Sequence, residues 1–204
     1  EYRGQNDVQE DHIYAALLRT MLRPGESLTL VASTEPTANL DGDAAYAERR
    51  AYEASLLERA SKVHQVALPD EVKQLVLAAD QFVVKRPTSR DVNGRSVIAG
   101  YPWFSDWGRD TMIALPGLTL ATGRPEVAAS ILRTYAQFVD QGMLPNRFPD
   151  AGEHPEYNTV DATLWYFEAL RAYHAATGDD NLVQELFPVL QDVIMWHKRG
   201  TRYN

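Results

Sequence analysis

Between Gly108 and Gly200 one pattern recurs: a helical run, a short glycine-containing turn, then a second helical run. Thr122-Gly123 and Gly178 close the first member of each pair, and Pro125 opens a second member at the first helical position, where its missing N–H costs nothing. The run from Pro125 sets Val127, Ile131, Leu132, Tyr135, Phe138 and Val139 on one stripe and ends before Gly142. The run from Asp161 differs. Leu164, Trp165, Tyr166, Phe167, Leu170 and Tyr173 wrap most of the way around it, as in a helix covered on several sides. Beyond Gly178, Asp180 and Asn181 are candidate caps, and Pro188 is expected to restart the helix. Leu190, Val193, Ile194 and His197 then share one face up to Gly200. Alternation of one-sided and all-round apolar helices predicts two concentric layers, an all-α toroid.

The first helix of the series carries a local conflict. Pro116-Gly117 falls inside it, where proline costs about 3 kcal/mol and glycine about 1 kcal/mol. Ile113, Leu115, Leu118 and Leu120 could also be read as strand, so a kink is expected. Upstream, Asp41–Ala60 places Tyr46, Ala47, Ala51, Ala54 and Leu57 near helical spacing. Leu68-Pro69-Asp70-Glu71 starts another helix, predicted to run to about Val84, and Ser96–Gly100 is a short apolar stretch. Ser27–Ser33 alternates Leu28, Leu30 and Ala32 after the turn signal Pro24-Gly25 and reads as a strand.

Composition removes several function classes. The 204 residues carry a net charge of −8, and phosphate-backbone binders need the opposite sign, so no nucleic-acid partner is expected. No run approaches the roughly 18 apolar residues of a membrane span. Without cysteine there is no disulfide, thiolate site or Cys nucleophile. The five histidines show no metal spacing, and there is neither a Gly-rich phosphate loop nor a Gly-x-Ser-x-Gly elbow. No metal and no cofactor are expected. The chain begins at Glu1 with no signal-type apolar core and reads as a piece of a longer cytoplasmic protein.

Two clusters carry chemistry. In Gly100–Met112, Tyr101, Trp103, Phe104 and Trp107 stand among Asp106, Arg109 and Asp110. Core segments seldom mix Trp with Asp and Arg so closely, because a buried charge must be paired. A sugar fits such a set: its C–H face packs on aromatic rings, and its hydroxyls need charged partners at fixed angles. The alternative is a capped helix start with an Arg–Asp ion pair and core tryptophans. The second cluster, Glu153–Trp165, contains Tyr157, Asn158 and Asp161 and follows a long irregular link with Leu144-Pro-Asn-Arg147. Asp161 alone reads as an ordinary N-terminal acid of its helix. If the helices from Gly108 and Asp161 run the same way, Asp106, Arg109, Asp110 and Asp161 converge on one aromatic-lined pocket.

Ala99-Gly-Tyr-Pro-Trp-Phe-Ser-Asp-Trp-Gly-Arg-Asp-Thr111, Gly142-Met-Leu-Pro-Asn146 and Tyr157-Asn-Thr-Val-Asp-Ala-Thr-Leu-Trp165 together resemble the amylo-α-1,6-glucosidase domain of glycogen debranching enzymes. The resemblance runs from about Leu68 to Asn204. It implies an (α/α)6 toroid, roughly half of it within 68–204, behind a helical linker at 41–67 and the tail of a β-rich domain at 1–40. It implies inverting hydrolysis of the α-1,6-linked glucose at branch points of glycogen or another branched α-glucan. Asp161 matches the general acid, with the base expected beyond Asn204. Trp107, Arg109 and Asp110 match the floor that grips the terminal glucose, and Asn146 and Asn158 its rim. Trp103, Phe104, Asp106, Tyr157 and Trp165 complete the expected substrate contacts. A dipole-lowered pKa at Asp161 would have to be outweighed by desolvation from Trp165, Tyr157 and Trp107. Other readings are a glucoamylase-like or trehalase-like enzyme, or a non-catalytic glucan-binding helical domain. Half a toroid leaves Leu164, Phe167 and Tyr173 without partners, so the chain alone is expected to be inactive and either to self-associate or to be held by another copy or a missing segment.

Overall fold

The computed structural model describes residues 14–34, 36–101, 104–148 and 154–203, so Trp103 and Glu153 lie outside the described residues. The chain divides into two compact units, residues 1–54 and 55–204. The first unit contains an irregular stretch followed by the start of helix α1 (Gly42–His64). Ser27–Ser33 forms no strand, contrary to the alternation of its leucines. A strand exists only through a hydrogen-bonded neighbour, and Leu28 and Leu30 stay exposed with no surface to cover.

The second unit continues with α2 (Asp70–Gln81), β1 (Val83–Lys85), β2 (Arg95–Gly100) and β3 (Phe104–Asp106). These strands form one antiparallel sheet in the order β1-β2-β3, with Val83 opposite Val97 and Ile98 opposite Asp106. The expected all-α class is therefore corrected: about half of the chain is helical, and a small sheet sits among the helices. The helix from Asp70 stops at Gln81 rather than near Val84, because Val83 and Val84 pair across to β2. On α1 the buried residues are Leu56 and Ala60, not the alanine stripe at 47, 51 and 54. They pack with Leu68 and Val76 in a small satellite core.

Helix α3 (Gly108–Leu115) passes directly into a π-helical turn at Pro116–Leu120. The expected kink takes this form because Pro116 has no N–H to give. Widening the turn lets Ala121 N–H reach the Pro116 carbonyl at 3.0 Å and Arg124 N–H reach Thr119 O at 2.8 Å. The freed carbonyls find other donors: Thr119 Oγ1 on Leu115 O at 2.6 Å, and Arg124 Nη2 on Leu118 O at 2.7 Å. Arg124 is itself buried and holds Asp80 of α2 at 2.6 Å.

Helix α4 (Pro125–Ala136) has proline at its start, and α5 (Asp161–Thr177) ends at Gly178, whose φ of 66° only glycine adopts without strain. Helix α6 (Asp180–Arg199) departs from expectation twice. Its cap is Asp179, which accepts from Asn181 N–H at 3.0 Å and Leu182 N–H at 3.3 Å. It also runs through Pro188 without restarting. Gln184 and Pro188 both face solvent, where a carbonyl left without its helical donor can bond to water.

The main core joins β2, α3, α4, α5 and α6 through Val97, Met112, Leu132, Leu144, Tyr166 and Leu182. On α5 the inward face is Ala162, Tyr166, Ala169, Leu170 and Tyr173, while Leu164 and Trp165 point outward. Tyr173 therefore has partners, unlike Leu164. Leu132 is 0% exposed, so Leu132→Ala is expected to cost about 2–5 kcal/mol in urea unfolding. Leu30→Ala, at an exposed position, is expected to fall within about 0.5 kcal/mol of the parent.

Candidate active site

The N-terminal turns of α3 and α5 meet at one ion pair. Arg109, one residue into α3, sets Nε 2.7 Å from Asp161 Oδ2 and donates from Nη2 to Oδ1 at 2.8 Å. The two helices pack along their length with these ends together, so they run the same way. The pair lies open to solvent, with side chains 45% and 43% exposed. The Arg109 fork holds the Asp161 carboxyl below the usual carboxylate range. Backbone N–H groups of Asp161 and Ala162 lower it further, and burial opposes only in part. The same contact raises Arg109 above its ordinary value.

Close approach of the 144–147 segment sets the position of Arg109. Gly108 N–H donates to Asn146 O at 2.8 Å, and a Cβ at Gly108 would collide with the Pro145 carbonyl oxygen. Asn146 Oδ1 accepts from Arg109 N–H at 3.3 Å, and its Nδ2 donates to Asn158 Oδ1 at 3.0 Å. Asn146 and Asn158 thus bond to each other behind the ion pair.

The other expected contacts divide. Asp110 is exposed beside Arg109, and both edge a cavity of about 350 Å³ lined otherwise by apolar groups, among them Phe82, Ile98, Ile113 and Leu118. Trp165 is exposed one helical turn after Asp161 on α5. Trp107 is half-buried and pairs by its backbone with Arg147. Phe104 lies on β3 and is partly exposed. Tyr157 donates its hydroxyl to Phe138 O at 2.7 Å, and the Arg202 guanidinium lies 4.6 Å from its ring centre. Asp106 does not join the convergence expected of it. It is 2% exposed and gripped by the partly buried Arg86, Nε to Oδ2 at 2.9 Å, whose guanidinium lies over the Phe148 ring. A carboxylate removed from water needs that fork, so Asp106 is committed to holding β3.

Sequence reasoning passed over Arg86, whose partner lies twenty positions away and carries no local signal. It also passed over Glu156, which binds Arg147 at 2.6 Å and joins the link to the segment before α5. Among the described residues no group of three His, Asp or Glu side chains gathers as a metal ion requires, and no helix is long and apolar enough to cross a membrane.

Comparison with known proteins matches residues 77–204 to the family model described as amylo-alpha-1,6-glucosidase. The chain is also 32% identical over 123 residues to the glycogen debranching enzyme of Saccharomyces cerevisiae. That match covers 56% of this chain and 8% of the yeast protein.

Asp161 has a depressed folded pKa, so its contribution to stability is present above the unfolded value of about 3.9 and is lost as pH falls through the folded value. Arg109→Gln is expected to raise the Asp161 midpoint, read from its carboxyl carbon shift in an NMR titration. The stability gap between the two proteins should then close as pH drops below the ordinary carboxylate range. An unmoved midpoint would show that the pair is a feature of packing alone.

Proposed function

The chain belongs to the amylo-alpha-1,6-glucosidase family, and from that premise we propose that it is part of a debranching glycoside hydrolase releasing α-1,6-linked glucose from branch points of a glycogen-like glucan. The observation that carries this reading is the Arg109 fork on Asp161 where α3 and α5 begin. Beside it stand the Asp110 acceptor and the exposed Trp165 face, and a cavity whose apolar wall suits the C–H face of a sugar ring.

Inversion needs one protonated carboxyl at the leaving oxygen and one ionised carboxylate behind a water, roughly 6.5–9.5 Å apart. We assign Asp161 the first role and place the base beyond Asn204. Two guanidinium donors on one carboxylate stabilise an anion, so Asp161 serves as an acid only once the sugar has drawn Arg109 away from it. Glucose hydroxyls can do this, because they accept from the same fork while donating to Asp110. Loss of the cation, with water excluded by Trp165 and the glucan, raises the carboxyl toward a value at which it holds a proton. Residues 68–204 form in this reading the first part of an (α/α)6 toroid in a cytoplasmic enzyme, behind a linker at 41–67 and the end of a β-rich domain at 1–40.

Asp161→Asn in the full-length protein tests the acid. It keeps the shape of the side chain and removes the proton, so release of glucose from branched dextrin should fall about 10²–10⁴-fold. α-Glucosyl fluoride, whose leaving group needs no proton, should be hydrolysed with far less loss. Equal loss on both substrates would make Asp161 a binding residue, and binding without glucose release by the parent protein would leave a glucan-binding domain.

The exposed Ile113, Val160, Leu164 and Trp165 surround the pair with apolar surface that an enzyme pocket would cover. The isolated 204-residue chain is therefore expected to release no glucose and to show concentration-dependent association in sedimentation. A monomeric chain with glucosidase activity would refute the position given to the base.

A further inference from the structure

Asn146 is 3% exposed, a buried polar side chain in an irregular segment, and its backbone and side-chain amides all have protein partners. Its N–H donates to Glu156 O at 2.7 Å and its carbonyl accepts from Gly108 N–H at 2.8 Å. Its side chain adds the two bonds already described, to Arg109 N–H and to Asn158 Oδ1. One residue therefore touches both chain segments that deliver the ion pair. Arg109 N–H belongs to the first turn of α3, and Asn158 lies three positions before Asp161. A side chain so placed has a task within the protein besides the rim role implied by the family resemblance.

We propose that Asn146 is a positioning residue whose amide ties the start of α3 to the segment entering α5, and so holds the Arg109 guanidinium against the Asp161 carboxylate. The role of the pair in hydrolysis rests on the function proposed above; the tie itself does not. The physical case is one of tolerance. A bidentate fork works only while both oxygens stay near 2.8 Å, and Arg109 and Asp161 sit on different helices with solvent on their outer side. Packing of α3 on α5 fixes the axes of the helices but leaves their end turns free to fray. Asn146 closes that freedom from behind, through one bond to each side. Gly108 makes the closure reachable, since any Cβ there would push the 145–146 backbone away.

The test is the Asp161 midpoint in an NMR titration of this chain, with Arg109→Gln as the reference for complete loss of the pair. Arg109 is the charged group acting on Asp161, and Asp110 acts in turn on Arg109, so the midpoint reports on the fork. Asn146→Ala cuts both bonds. Asn158→Ala cuts only the second, at an exposed loop position where folding should not suffer. Each is expected to raise the midpoint by about half a pH unit, part of the one to three units an adjacent opposite charge supplies. In the Asn158→Ala background, Asn146→Ala should add less than it does alone. If Asn146→Ala does not fold, Asn158→Ala decides the matter by itself. A wild-type midpoint in Asn158→Ala, with Arg109→Gln shifted, overturns the proposal, as does full additivity of the two variants. Neither result depends on glucose release, so failure of the tie and failure of the glucosidase reading are separately visible.

Discussion

Two helices that run side by side in the same direction bring two positive ends together, and the arrangement around Arg109 and Asp161 answers that constraint. The N-terminal N–H groups of α3 and α5 would repel each other across a shared edge. Asp161 supplies the negative charge that edge requires, drawing on N–H groups of its own helix and on the Arg109 fork of its neighbour. Asn146 O and Oδ1 cover two of the α3 donors from the opposite side. The pair thus complements the two helix ends, while Met112, Leu115, Ala162 and Tyr166 of the main core hold α3 and α5 together. A carboxylate, an arginine and two asparagines from three separate segments of chain meet at this edge.

The rest of the unit supports that edge with buried polar contacts rather than with apolar packing alone. Tyr135 on α4 reaches Thr111 of α3 at 3.0 Å and Ser96 of β2 at 3.4 Å, and burial pushes its phenol pKa up. Tyr166 of α5 donates to Leu132 O of α4 at 3.0 Å, and Thr163 Oγ1 accepts from Leu144 N–H at 2.8 Å. Each bond joins two elements at one register, so sliding any helix past its neighbour would strand a buried group.

Features set by neighbours in sequence were legible. Pro125 and Gly178 mark helix ends because their backbone restrictions act locally, and the apolar stripe of α4 follows from a 3.6-residue period. The cap at Asp179 was misplaced by one residue, since Asp179, Asp180 and Asn181 are all good caps and only the backbone turn selects among them. The sheet went unread for a different reason. Val83–Lys85 is three residues long, and its pairing to β2 depends on closing a loop. Asn93-Gly94 just before Arg95 is the one local turn signal that could have pointed to it. The two charged clusters stood out as chemistry, but nothing in their residue types separated Asp106, which is buried against Arg86, from Asp110, which is open. That division depends on Arg86, far away in sequence.

The π-helical turn at Pro116–Leu120 changes more than the path of one helix. An α-helix advances its outward direction by about 100° per residue, so one extra residue in a turn rotates every later side chain by that amount. Before the turn α3 packs against α5 and β2, and the widened segment packs against α2, α4 and α5. One widened turn thereby meets three helices at once. Restoring a regular α-helix by replacing Pro116 and Gly117 would improve local propensity while turning Leu118 and Leu120 out of phase with the partners they now meet.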